Sequence, residues 1–179
     1  MNAMPDPLRP TSNIEIALSD DRTVALPVCH PIFTEWNGKV PDFDFGKKPV
    51  LDYKGESLFA ELVILRMLQE AGWEGAWVET YGGTHFLQRM PQGWGLKADH
   101  VSIPEGKEEL LRQIRKAAKT TACFDVLAWK GDQILFCESK RAGKDKLTGA
   151  QLEFIEGALA CGIAPDSLVI AERKTNVVH

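Results

Sequence analysis

The chain has 179 residues, 44% hydrophobic and 26% charged, with a formal net charge of −4 at pH 7. That length suits one domain with a full hydrophobic core, and the composition is that of an ordinary soluble globular protein. The acidic balance argues against indiscriminate polyanion binding, so any nucleic-acid surface has to be a local patch. No apolar run approaches the roughly 20 residues of a membrane span, and the Pro-rich, acid-containing start does not resemble a signal peptide. Cys29, Cys123, Cys137 and Cys161 are scattered without a C-x-x-C pair. Neither a zinc site nor a secreted disulfide framework is indicated, and a reduced cytoplasmic protein is the default.

Residues 1–13 hold three prolines and little apolar material, which predicts disorder. Ile14–Leu18 and Thr23–Val28 flank Ser19-Asp-Asp-Arg22, and this reads as an N-terminal β-hairpin. From Cys29 to Pro49, Pro, Gly and Asp punctuate a loop that Phe33, Trp36, Phe43 and Phe45 would pin to the body. Residues 1–50 are thus set apart as an extension, with 51–179 as the main domain. Ser57 to Ala71 is predicted as the first long helix, ending at Gly72. Its Glu61 falls inside the apolar stripe, between Leu65 and Leu68 on the wheel, where a carboxylate is costly without a partner. An edge glutamate reaching solvent is the other reading, and Glu56 is a second candidate.

Ala76–Tyr81 reads as the first strand of the core sheet, with Thr84–Leu87 resuming after Gly82-Gly83. His85 there is read as a packing residue or a phosphate contact. Residues 91–104 are irregular. Glu105 to Lys119 is a second helix, with acids in its first turn and bases later. Arg112, Arg115, Lys116 and Lys119 recur at i, i+3, i+4 and i+7, giving one basic face that is either solvated or in contact with phosphate.

The stretch from Ala122 to Lys140 carries the chemistry. Two runs rich in apolar, β-branched and aromatic residues flank Gly131-Asp132, a pair suited to a two-residue hairpin turn. Counting outward opposes Lys130 to Gln133, Leu127 to Phe136 and Asp125 to Glu138, and Lys140 shares their face. Opposed carboxylates repel, and burial makes each costlier. Lys140 offsets one charge; a divalent cation such as Mg²⁺ would offset both. A salt-bridged hairpin with a slipped register is the alternative. Beyond a basic loop, Arg141 to Lys146, Thr148 and Gln151 form a T-x-x-Q capping box at the start of an apolar helix that Gly162 ends. Leu168–Ala171 is a last buried strand, followed by a polar tail.

Asp125, twelve residues, then Glu138-Ser139-Lys140 resembles the PD-(D/E)xK nuclease core, with Phe124 where the name has proline. Leu147-Thr148-Gly-Ala-Gln151 is similar to the segment of VRR-NUC-type members. Lys54-Gly55, Glu61-Leu62 and Gly72-Trp73 resemble the first helix of archaeal Holliday-junction resolvases. The similarity covers about residues 54–173. It implies an α/β fold with a restriction-endonuclease-like core, a central mixed β-sheet flanked by helices, with the N-terminal hairpin as an extension. It also implies a Mg²⁺ site (Mn²⁺ as substitute) made by Asp125, Glu138, the Ser139 carbonyl and Glu61. Catalytic roles would fall to Asp125, Glu138, Lys140, Glu61 and Gln151. Arg141, Lys144, Lys146, Arg112, Arg115 and Lys119 are then candidates for the backbone of DNA, with RNA not excluded and a homodimer compatible. The expected activity is Mg²⁺-dependent phosphodiester hydrolysis. A catalytically idle nucleic-acid-binding module of the same fold and a protein-interaction domain are the other readings.

Overall fold

The computed structural model describes residues 4–39, 41–43, 45 and 47–176. Its elements are β1 (Ser12–Ala17), β2 (Thr23–Cys29), β3 (Ile32–Glu35), β4 (Leu51–Tyr53), β5 (Glu56–Leu58), α1 (Ala60–Glu70), β6 (Glu74–Glu79), β7 (His85–Leu87), α2 (Glu105–Ala118), β8 (Val126–Lys130), β9 (Gln133–Arg141), α3 (Gly149–Ala160) and β10 (Leu168–Asn176). Among the described residues these make one mixed sheet and three α-helices, an α/β arrangement. The strand order is β5-β4-β3-β10-β9-β8-β6-β7, with β2 beside β10 and β1 beside β2.

The hairpin at Gly131-Asp132 sets the centre. Lys130 pairs with Gln133, Trp129 with Ile134, Leu127 with Phe136 and Val126 with Cys137, the register counted from the turn. Gly131 takes a positive φ of 58°, the conformation for which glycine suits this corner. β10 then runs parallel to β9, Leu168 opposite Phe136 through Arg173 opposite Arg141. Parallel neighbours need a crossover, and α3 supplies it.

The helices cover both faces of the sheet. α1 buries Leu62, Ile64, Leu65 and Leu68 against Val126, Ala128, Cys137 and Val169. α2 and α3 bury Leu111, Ile114, Phe154 and Ile155 against Leu127, Phe136, Leu168 and Ile170 on the other face. Strands covered on both sides lose the polar–apolar alternation of a half-exposed sheet, as the runs at 124–129 and 134–137 do.

Several expectations are corrected. The described part of residues 1–13 is ordered: Leu8 is fully buried in a 3₁₀ turn and Met4 lies in the same core, so lone apolar residues among prolines still find the interior. Residues 1–3 and the end of the tail, 177–179, lie outside the described residues. The segment read as a loop from 29 to 49 contains β3, which pairs parallel with β10 at Lys174–Asn176. β2 and β3 succeed one another along one edge of β10, broken at His30-Pro31, so residues 12–35 share the sheet with the rest. Aromatic anchoring does hold: Phe45 stands 6.3 Å from Phe59 and 6.0 Å from Trp77, centroid to centroid. The predicted helix start at Ser57 belongs instead to β5. Lys54-Gly55, both at positive φ, turn β4 back on β5, and α1 begins only at Ala60. The last strand runs to Asn176, five residues past the predicted end.

The tightest helix contact is at Gly157. A methyl group there would lie 2.6 Å from the Ala118 Cβ and 2.6 Å from the Ile114 carbonyl oxygen. Gly157→Ala should therefore cost about 1–3 kcal/mol by overpacking, less the modest gain in helix propensity. Gly149→Ala, where a Cβ meets nothing within 4 Å, serves as the control. Urea denaturation of the two variants decides it, and equal stability would show that α2 and α3 can separate without cost.

Candidate functional site

The β8–β9 ladder ends at Val126–Cys137, and the next pair in register is Asp125 and Glu138. There the carboxylates take over the ladder's acceptor role. The Asp125 N–H donates to Glu138 Oε2 (3.2 Å), and the Ser139 N–H donates to Asp125 Oδ2 (2.8 Å). On its other side the Asp125 carbonyl accepts from the Val78 N–H of β6 (2.7 Å). The opposition expected from the turn is thus present, with each side chain fastened to the other strand's backbone.

Lys140, two residues beyond Glu138 in β9, holds its ammonium 2.8 Å from Glu138 Oε1. It also donates to Gln151 Oε1 (2.9 Å), while Gln151 Nε2 donates to Glu138 Oε1 (2.5 Å). The same Gln151 oxygen accepts from the Thr148 N–H (3.0 Å), and Thr148 Oγ1 accepts from the Gln151 N–H (3.3 Å). Gln151 closes the capping box of α3 and also ties Lys140 to Glu138. Lys140 and Glu138 are both buried.

Glu61 enters from α1 and is 95% buried, so the solvent-reaching reading fails. Its Oε1 lies 2.7 Å from the ammonium of Lys48, and its Oε2 has no partner among the described residues. Lys48 comes from the aromatic loop and stands over the rings of Trp77 (4.7 Å) and Phe59 (5.3 Å). Glu56, the second candidate, is exposed and pairs with Arg66 at 3.3 Å. Arg173 of β10 is buried and donates from Nε to Ser139 Oγ (3.2 Å). Sequence reasoning missed Lys48 and Arg173. Both act on the site from distant parts of the chain, and the only advance signal was a lysine following the aromatic run.

The electrostatics follow from this crowding. Burial raises the Asp125 carboxyl well above the usual carboxylate range, and the charges of Glu138 and Glu61 push it further; Lys48 opposes them. Glu138 is also raised, because burial outweighs the Lys140 ammonium beside it. Burial pulls the Lys48 ammonium down, but Glu61, then Asp125 and Glu79, more than offset this and leave it raised. Burial lowers the Arg173 guanidinium, against the pull of Glu61. Cys123, next but one to Asp125, is raised by burial.

The predicted metal donors are only partly gathered. Among the described residues, no group of three or more His, Cys, Asp or Glu side chains is arranged to hold a metal ion. The strand period explains this. Glu138 lies on the same face as Phe136, toward α3, whereas Glu61 rises from α1 on the opposite face. Asp125, at the sheet's end, feels both. Two features nevertheless fit a cation: Glu61 Oε2, which has no partner among the described residues, and two neighbouring carboxyls whose pKa values are raised, first by burial.

The predicted phosphate contacts do not form one surface. Arg115 is a strut, donating to the Ala122 carbonyl (3.2 Å) and Thr84 Oγ1 (2.6 Å). Arg112 is exposed and pairs with Glu109. Lys119 takes the left-handed cap of α2 and lines a different hollow, with Ser19, Asp20 and Glu156. Near the site, Arg141 is clamped by Asp145, whose carboxyl is held down to about 2. Lys144 and Lys146 are exposed, and Lys146 lines a groove of about 460 Å³ with Lys140, Asp145 and Glu172. His85 is buried with Nδ1 unpartnered, its ring 6.0 Å from His100. Neither histidine joins the carboxylates.

All four cysteines are free thiols. Among the described residues no helix is long and apolar enough to cross a membrane. No family model, no curated protein and no solved structure matches the chain.

The raised carboxyls make a pH prediction. An acid whose folded pKa exceeds its unfolded value keeps its proton longer when folded. Stability is therefore greatest below the unfolded value and falls as pH rises through the raised one. Denaturation in EDTA should show the wild type losing stability from about pH 4 upward, as pH climbs through the raised values. Asp125→Asn, which keeps an acceptor for the Ser139 N–H, should flatten that fall and raise the Tm at pH 7. Parallel pH profiles would show that Asp125 ionises in the fold without penalty. Arg115→Ala should lower stability by about 2 kcal/mol through its lost charged hydrogen bonds; an unchanged urea midpoint would return Arg115 to the solvated surface.

Proposed function

We propose that the chain is a Mg²⁺-dependent nuclease of the PD-(D/E)xK kind, hydrolysing phosphodiester bonds of DNA. The observation that carries this reading is the set Asp125, Glu138, Lys140 and Gln151, joined by hydrogen bonds at the end of one hairpin. Support also comes from the order of elements: helix α1 with Glu61, β8 preceded by Asp125, β9 with Glu138-Ser139-Lys140, then α3 with Gln151. That is the order of a restriction-endonuclease-like core, to which the β1–β2 hairpin would be an N-terminal extension.

Asp125, Glu138, Glu61 and the Ser139 carbonyl are the groups that would hold Mg²⁺ or Mn²⁺. When bound, such an ion lowers the pKa of a water and polarises the phosphate. Lys140 has three N–H donors and spends two, on Glu138 and Gln151. Its third can meet a phosphoryl oxygen or orient the attacking water. Gln151 fixes the ammonium's position, so that donor is aimed before substrate arrives. The proton affinities of Asp125 and Glu138 belong to the pair, so neither is given a separate role as general base. Lys144 and Lys146, exposed beside the Lys140 groove, meet the backbone of the nucleic acid.

One specific observation favours a second reading, a catalytically idle nucleic-acid-binding module. Both oxygens of Glu138 are already engaged by Lys140, Gln151 and the Asp125 N–H. A carboxylate so satisfied serves the fold without a cation.

A panel of single-stranded, duplex, flap and four-way-junction DNA, with RNA beside it, in Mg²⁺ and in Mn²⁺, decides between them. Cleavage is expected, and Lys140→Met should lower it about 10²–10³-fold, the loss of one transition-state-stabilising group, while divalent binding persists. Lys140→Arg should not restore it fully, because a planar guanidinium does not replace a compact ammonium. Asp125→Asn should lose divalent binding and cleavage together. DNA binding without cleavage of any substrate favours the idle module, and a wild-type rate in Lys140→Met removes the lysine from the chemistry.

A further inference from the structure

The site neutralises itself with cations of its own. Three carboxylates, Asp125, Glu138 and Glu61, face Lys140 on one side and Lys48 and Arg173 on the other. Lys140 sits in β9 and Arg173 in β10, central strands whose backbone the ladder holds in place. Lys48 differs. It lies outside any strand or helix, next to Lys47 at a positive φ of 70°, and reaches Glu61 past the faces of Trp77 and Phe59. Its partner Glu61 keeps one oxygen buried with no partner among the described residues. Hydrogen bonding to Lys48 therefore leaves the glutamate half satisfied.

We propose that Lys48 is the removable counter-cation of this site: a divalent ion binds at Glu61 and Asp125 by exchange, and the Lys48 ammonium leaves Glu61 as it enters. The inference rests on the metal-dependent reading above and adds to it how the site is regulated. Charge decides the direction. A divalent ion added to three acids already matched by three internal cations meets no net attraction, whereas one that replaces Lys48 meets an uncompensated negative charge. A compact ammonium and a hard divalent ion both seek carboxylate oxygens, so they compete for the same acceptors. The backbone around Lys48 thereby becomes sensitive to the ion, because the lysine that leaves Glu61 also leaves the Trp77 ring.

Calorimetric titration of Mn²⁺ into the wild type and Lys48→Met tests this. The methionine keeps an apolar stem against Trp77 and Phe59, and the variant should bind Mn²⁺ at least about tenfold tighter, since removing a competitor raises apparent affinity. A second measurement needs no variant: amine acetylation of the folded wild type, read by mass spectrometry. Lys48 should be protected without Mn²⁺ and modified rapidly at saturating Mn²⁺. Equal or weaker Mn²⁺ binding by folded Lys48→Met, or continued protection of Lys48 at saturation, overturns the exchange and leaves the metal-dependent reading standing. Absence of Mn²⁺ binding by either protein overturns both.

Discussion

The molecule depends on how one sheet ladder ends. At Asp125 and Glu138 the two antiparallel strands present carboxylates, not apolar side chains, and each carboxylate accepts the other strand's backbone N–H. Such a junction satisfies backbone donors that would otherwise be buried unpaired. It also fixes two like charges side by side in a desolvated place, and their raised pKa values express that cost. Everything adjoining the site answers to it. Lys140 is in register to neutralise Glu138, and β10 lies alongside so that Arg173 reaches Ser139. α3 must start where Gln151 meets both.

The division of the acids across the two faces of the sheet limits what they can do together. Alternation places Glu138 toward α3 and leaves Glu61 to α1 on the opposite side, so three carboxylates do not converge as a cage. Asp125 stands between the two, because it precedes β8 at the end of the ladder. It feels Glu138, Glu61 and Lys48 together. A site of this shape has a centre in one residue and two arms. One arm is locked by Lys140 and Gln151; the other is closed by a lysine from a loop.

Much of the locked arm was legible in the sequence, because every part of it is local. A two-residue turn sets a register that can be counted, and a capping box sets a helix start that can be named. The elements α2, β6, β8, β9 and α3 followed from period and punctuation. The other arm was not legible. Lys48 is thirteen residues from Glu61 with no periodic relation to it, and tertiary packing, with Phe45 against Phe59 and Trp77, brings it there. Strands β4 and β5, three residues each, are too short to show alternation, and their Lys54-Gly55 turn read as the approach to a helix. The basic face of α2 is a different case. Helical spacing says that Arg112, Arg115 and Lys119 share a side; it cannot say that Ala122 and Thr84 lie beneath one of them.

Gln151 shows why site and scaffold cannot be assigned separately here. Its side-chain oxygen accepts from the Thr148 N–H and from Lys140, and its amide nitrogen donates to Glu138. An apolar residue at 151 would free the helix start and the lysine at once, whereas a glutamate would keep the cap and add a fourth negative charge beside Glu138. A neutral amide satisfies both demands because it has an acceptor for the cap and the ammonium and a donor for the carboxylate. The start of α3 is thereby fixed relative to β9 by the charged groups themselves. Since α3 is the crossover that lays β10 parallel to β9, the same hydrogen bonds hold in place the strand that delivers Arg173 to Ser139.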